Sequence, residues 1–154
     1  MERRVRWKSH ARCGAGENPK ITSKDYLSLS KTLDLVRPGG IIAFITSKFT
    51  LDKKNSSIRS YIAQRAELIG AIRLPKNAFY QVAGTTATTD ILFLQKREQE
   101  IVPDKREINW LSIEEDENGV PVNSYFIDHP EMILGTMAFD ASMYANEATR
   151  SEEH

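Results

Sequence analysis

Cysteine is nearly absent. Cys13 stands alone, so no disulfide can form within the chain, and that usage points to a reducing, intracellular compartment. Histidine is scarce as well. His10, His129 and His154 are scattered through stretches that read as loop, helix start and tail, so they build no catalytic constellation. No Cys/His spacing suits zinc, and no Walker-type loop offers a phosphate cradle. Long apolar runs are missing too. The longest is Ile41–Ile45, against the roughly 20 residues that span a bilayer, so no transmembrane helix is expected. The basic N-terminus is followed by no apolar segment, which argues against a secretory signal and for a cytoplasmic protein.

What is present suits one globular domain with a tail: 154 residues, 40% apolar and 27% charged. The formal net charge of zero hides a split. Residues 1–97 hold 18 Lys+Arg against 7 Asp+Glu, a net of +11, while residues 98–154 hold 3 against 14, a net of −11. A basic half suits a polyanion such as nucleic acid, with the acidic half as a mask or a separate docking surface. A plain dipolar domain with no such partner has the same composition.

Residues 1–22 are basic and poorly patterned, with Arg3, Arg4, Arg6, Lys8 and Arg12 around Trp7, and read as loop or disorder. Gly14-Ala15-Gly16 follows no strand and lacks a third glycine, so it is set aside as a dinucleotide turn. Residues 23–36 read as an amphipathic helix capped by Ser23, with Tyr26, Leu27, Leu29, Leu33 and Val36 apolar, and Arg37-Pro38-Gly39-Gly40 stops it. Ile41–Ile45 is apolar at consecutive positions, which predicts a strand buried on both faces. Thr46-Ser47-Lys48-Phe49 is its exit loop, Ile58–Arg65 a second helix and Leu68–Leu74 a second strand. A long loop at 76–89 leads to a third strand, Asp90–Gln95. With no helix between them, the third strand should run antiparallel to the second. Beyond residue 98 the spacing suggests a short strand over Glu107–Ile113 with Trp110 inward, and an acidic turn at 114–119. A short helix capped by Asp128 follows, with His129 as a first-turn residue and not a ligand. The division expected is 1–22 basic segment, 23–97 α/β core, 98–144 acidic extension and 145–154 disordered tail.

Four blocks in this order carry a resemblance. They are Leu-Val-Arg-Pro-Gly-Gly-Ile-Ile-Ala-Phe-Ile-Thr-Ser-Lys from Leu35 and Ile-Gly-Ala-Ile-Arg-Leu-Pro-Lys-Asn-Ala-Phe from Ile69. Gly-Thr-Thr-Ala-Thr-Thr-Asp-Ile-Leu-Phe-Leu-Gln-Lys-Arg from Gly84 and Asn-Ser-Tyr-Phe-Ile-Asp-His-Pro-Glu-Met-Ile-Leu-Gly from Asn123 complete the set. Together they resemble S-adenosylmethionine-dependent DNA adenine amino-methyltransferases. The class is that of type I restriction-modification subunits, and the sub-type is the methylase–helicase proteins of phages and conjugative elements. The resemblance implies an α/β, Rossmann-like class I methyltransferase fold. Ile41, Leu68 and Asp90 would then begin its strands five, six and seven, with the seventh inserted antiparallel between the other two. It implies S-adenosylmethionine as cofactor of the whole domain and DNA as partner. It also implies an aromatic from the loop between strands six and seven that stacks on a flipped-out adenine, for which Phe79 and then Tyr80 are the candidates. Thr46, Ser47 and Lys48 would border that pocket, and Lys48 and Arg73 would contact phosphates.

The sequence also departs from the family. The glycine-rich cofactor turn, the ribose-binding acid and the Asn-Pro-Pro-Tyr/Phe loop have no counterpart, and Asn18-Pro19-Lys20 lacks the second proline and the aromatic. The expectation is therefore the C-terminal half of a catalytic domain, binding no cofactor and methylating nothing alone. No residue is assigned a catalytic or metal role. The rival readings are a nucleic-acid-binding remnant and an oligomeric one. In the latter, the open apolar edge of the first strand pairs with a second copy or with a missing N-terminal half.

Overall fold

The computed structural model describes residues 24–135. Ser23, the basic segment 1–22 and the tail 145–154 lie outside them. The first helix, α1 (Lys24–Leu35), buries Leu29 and Leu33 and sets Tyr26 edge-on against Tyr61 at 5.1 Å. Positions 26, 29, 33 and 36 follow the helical repeat, while Leu27 and Leu35 fall off the stripe and stay exposed. The Pro-Gly-Gly turn then reverses the chain. Gly39 takes φ +77°, and its N–H donates to Lys96 O at 2.8 Å. Gly40 is a matter of space: a Cβ there would stand 2.5 Å from Val36 Cγ1 and 2.9 Å from the Arg37 carbonyl oxygen.

Three strands form the main sheet: β1 (Ile41–Ser47), β2 (Ala66–Arg73) and β3 (Thr89–Lys96). Their order is β1-β3-β2, with β3 antiparallel to both neighbours, so β1 and β2 run in the same direction on either side of it. The chain passes from β1 to β2 through a helical turn, α2 (Phe49–Asp52), and a helix, α3 (Ser57–Arg65). A further turn, α4 (Tyr80–Ala83), stands in the loop between β2 and β3.

Burial along β1 alternates, which corrects the expectation that it is buried on both faces. Ile42 and Thr46 are buried, whereas Ile41 and Ile45 on the other face are 59% and 55% exposed. The reason lies in the layering. α1 packs on β1 and α3 on β2, so Leu29, Leu33, Ile62 and Ala63 meet Ile42, Ala71, Leu92 and Leu94 in one cluster. Each fully buried leucine or isoleucine there contributes roughly 1.5–3 kcal/mol of transfer free energy. β1 is also an edge strand among the described residues.

The acidic stretch after Lys96 packs against α2, α3 and the end of β2. A 3-10 turn at Asn109–Leu111 buries Trp110 and Leu111, so the strand expected at 107–113 is a helical turn with the expected inward tryptophan. β4 (Ile113–Glu115) and β5 (Pro121–Asn123) form the acidic hairpin. The short helix α5 (Ser124–Asp128) is capped by Asn123, whose side chain accepts from the Tyr125 N–H at 3.0 Å. Asp128, expected to cap a helix running on from His129, instead ends α5; the turn that follows begins at Pro130 with His129 at the cap position and no side-chain cap. A second 3-10 turn, Pro130–Met132, brings Ile133 beside Arg73, and Leu134 N–H donates to Arg73 O at 2.8 Å. No helix among the described residues is long and apolar enough to cross a membrane.

Candidate functional site

The carboxyl ends of β1 and β2 and the start of β3 converge on one end of the sheet. Two backbone bonds hold the loops there: Lys48 N–H donates to Thr88 O at 3.2 Å, and Leu74 N–H to Thr89 O at 2.9 Å. In an open α/β sheet this is the ligand end.

Beneath the rim lies a buried charge cluster. Arg73, 1% exposed, donates from Nε and Nη2 to the two carboxylate oxygens of Asp90, both at 2.8 Å. It also reaches Asp52, with Nη2 3.0 Å from Oδ1 and Nη1 2.8 Å from Oδ2. The Nη1 contact is an ion pair by distance but is out of line for a hydrogen bond. The Phe126 ring lies 4.4 Å from the guanidinium carbon, and Asp52 Oδ1 further accepts from Asn123 N–H at 3.1 Å. Two carboxylates thus share one cation. Burial pushes the Asp90 carboxyl above its usual range, and Arg73 pulls back only part of that shift. For Arg73 burial works against the charge, but bonding to Asp90 and the fields of both carboxylates outweigh it, so the guanidinium is held firmly protonated.

This arrangement corrects two expectations. Arg73 does not reach the surface to touch a phosphate; its fork is occupied by Asp52 and Asp90, and it joins β2 to α2 and α5. Thr46 does not border a pocket. It is 3% exposed, and its hydroxyl meets that of Thr50 at 2.6 Å beneath α2.

The other expected residues stand at the rim. Ser47 and Lys48 are half-buried, and Ser47 Oγ accepts from Phe49 N–H at 3.3 Å. Lys48 Nζ sits 5.5 Å from the Phe49 ring centroid and makes no ion pair among the described residues. Phe79 is half-buried at the start of α4, whereas Tyr80 is 58% exposed. Phe49 and Val82 are exposed as well. A cation and apolar or aromatic surfaces therefore share the loops of this end, which suits a flat, negatively charged ligand. Sequence reasoning missed Phe49, although it directly follows Thr46-Ser47-Lys48, and missed Asp52, which lies between that exit loop and the second helix.

A nucleoside cofactor of the S-adenosylmethionine type needs a free carboxylate for its ribose and a close backbone turn. At this end Asp52 and Asp90 are both bound to Arg73; Gly84 has open space where a Cβ would stand, and the close approach at Gly135 is already taken by Pro75. Asp52, Asp90 and Gly84 therefore do not supply those two features. Two grooves lie away from this end. One of about 310 Å³ runs between Gly39, Glu67 and Gln95–Gln99, and one of about 450 Å³ lies between Lys54 and the β4–β5 hairpin.

The fold is thus an α/β chain with an antiparallel strand inserted between two co-directional ones, and with a cationic, aromatic rim at the ligand end. The family model of the N-6 DNA methylases matches residues 1–125, and the chain belongs to that family, one of S-adenosylmethionine-dependent methyltransferases. Comparison with curated proteins and with solved structures gives no match.

Proposed function

We propose that this chain forms the target-base side of a DNA adenine methyltransferase and transfers no methyl group by itself. The family match carries the DNA methylase part of the reading. The order β1-β3-β2 supports reading these strands as the fifth, seventh and sixth of a class I methyltransferase sheet. In that reading an aromatic of the β2–β3 loop, Phe79 or the more exposed Tyr80, stacks on an adenine turned out of the duplex, and Lys48 meets a backbone phosphate. The misfit of Asp52, Asp90 and Gly84 with S-adenosylmethionine supports a cofactor held by other parts of the catalytic unit. The four sequence blocks support the methylase–helicase type of mobile elements, with restriction-modification relatives and a cytoplasmic site of action. Residues 23–97 then form the methyltransferase portion and residues 98–144 an acidic extension of it.

Calorimetric titration tests the cofactor half of this reading: no heat is expected from S-adenosylmethionine, and micromolar binding overturns it. Duplex DNA tests the other half. Salt-sensitive binding that weakens in Tyr80→Ala and Lys48→Ala is expected, and no binding at low salt removes DNA as a partner.

A second reading rests on a different observation. The outer edge of β1 has no partner among the described residues, and neither charge nor proline guards it. Through that edge the chain joins a second copy or an N-terminal half-domain, and sedimentation as a clean monomer would count against the second copy.

A further inference from the structure

Among the described residues two arginines are fully buried, and their surroundings differ. Arg73 has two carboxylates. Arg59, on α3 and 1% exposed, has none within ion-pairing distance among the described residues. Its Nε donates to Leu111 O at 3.2 Å, and its Nη1 donates to Leu51 O at 2.7 Å and Lys53 O at 2.6 Å. These carbonyls tie α3 to the end of α2 and to the 3-10 turn at Trp110. They supply dipoles but no countercharge. Nη2 makes no hydrogen bond among the described residues. Burial lowers the Arg59 pKa, and Asp52, acting at a distance, offsets only part of that. A buried cation without a counterion is costly unless something neutralises it.

Arg59 also lines the groove of about 450 Å³, together with Lys54, Lys105, Ser112, Glu114 and Glu115. Neither lysine makes an ion pair with these glutamates among the described residues. The charged lining holds three cations and two carboxylates, a net of +1. The glutamates stand exposed on β4, while the guanidinium is buried beneath the groove. That order, cation inside and carboxylates on the outer hairpin, suits a small, singly charged anion with planar or tetrahedral oxygens.

We propose that this groove binds a phosphate group, singly charged as in a phosphodiester, with Arg59 Nη2 as its inner donor and Lys54 and Lys105 at the rim. That the phosphodiester belongs to DNA rests on the function proposed above; the anion site itself does not.

The full chain, ¹⁵N-labelled, is titrated at constant ionic strength with diethyl phosphate, inorganic phosphate and a short duplex, following the Arg59 side-chain N–H resonance. A saturable shift with diethyl phosphate is expected, with weaker binding of the inorganic dianion. Lys54→Ala/Lys105→Ala changes only exposed residues and is expected to weaken diethyl phosphate at least about tenfold, equivalent to roughly 1.4 kcal/mol. Glu114→Gln/Glu115→Gln is expected to tighten it, since it removes the opposing charge. A resonance that no phosphate moves, or a shift that the lysine variant leaves unchanged, overturns the proposal. Binding of diethyl phosphate without binding of the duplex keeps the anion site and removes DNA as its source.

Discussion

Replacing Arg73 with methionine leaves Asp52 and Asp90 facing each other with no cation between them. The side chains are 1%, 8% and 0% exposed for Arg73, Asp52 and Asp90, so water cannot take over the lost role. Methionine keeps much of the volume against Phe126 but none of the donors. Removing one partner of a buried ionic cluster costs about 3–5 kcal/mol. A domain of this size has roughly 5–15 kcal/mol in all, so the variant loses a large part of its stability. The cost should fall when the carboxylate partner is neutralised too: R73M/D90N is expected to recover more than about 1 kcal/mol relative to the sum of the single variants. Urea unfolding, followed by circular dichroism and by tryptophan fluorescence, reads all of these values. A loss below about 1 kcal/mol for R73M would refute the reasoning. It would mean that Arg73 is a surface cation after all, in which case the variant should weaken DNA binding without touching stability.

Lys48→Ala should do the reverse: stability within about 0.5 kcal/mol of wild type, with the slope of log K against log salt for duplex binding reduced by about 0.9. An unchanged slope would remove Lys48 from the DNA-contacting set. Asp90 supplies a pH dependence. Its carboxyl is raised in the folded chain by burial, so its contribution is greatest below the unfolded carboxylate range and is lost as pH rises through the folded value. The stability of wild type relative to D90N should therefore fall between acid and neutral pH, and a rise would contradict the assignment. Gly40→Ala should destabilise by about 1–3 kcal/mol, because the new methyl meets Val36 Cγ1 and the Arg37 carbonyl oxygen; a neutral result in thermal unfolding would show that the turn can yield.

The elements that sequence reading located well are those set by local rules. Periodic leucines, the Pro-Gly-Gly stop and a loop before β3 with no helix longer than the single turn α4 were enough to place α1, the three strands and the antiparallel return. What the sequence could not show was which face of β1 is covered, because an unbroken apolar run looks the same whether helices lie on one face or both. The site was legible as an address more than as a set of contacts. Lys48 and Tyr80 stand at the expected end, but the character of Arg73 is decided by Asp52, 21 residues earlier, and Asp90, 17 residues later. A lone arginine after a strand reads as a phosphate contact until the fold brings two carboxylates to it. The same limit applies to Arg59, whose neighbour Leu111 lies 52 residues away and contributes only a backbone oxygen, a group that no side-chain pattern records. Taken together, the two arginines separate a structural cation from one with capacity to spare. Arg73 has more negative charge around it than it can neutralise, so a further anion would be repelled. Arg59 has only dipoles as direct partners and Asp52 at a distance, so an anion entering its groove would meet a charge neutralised only in part.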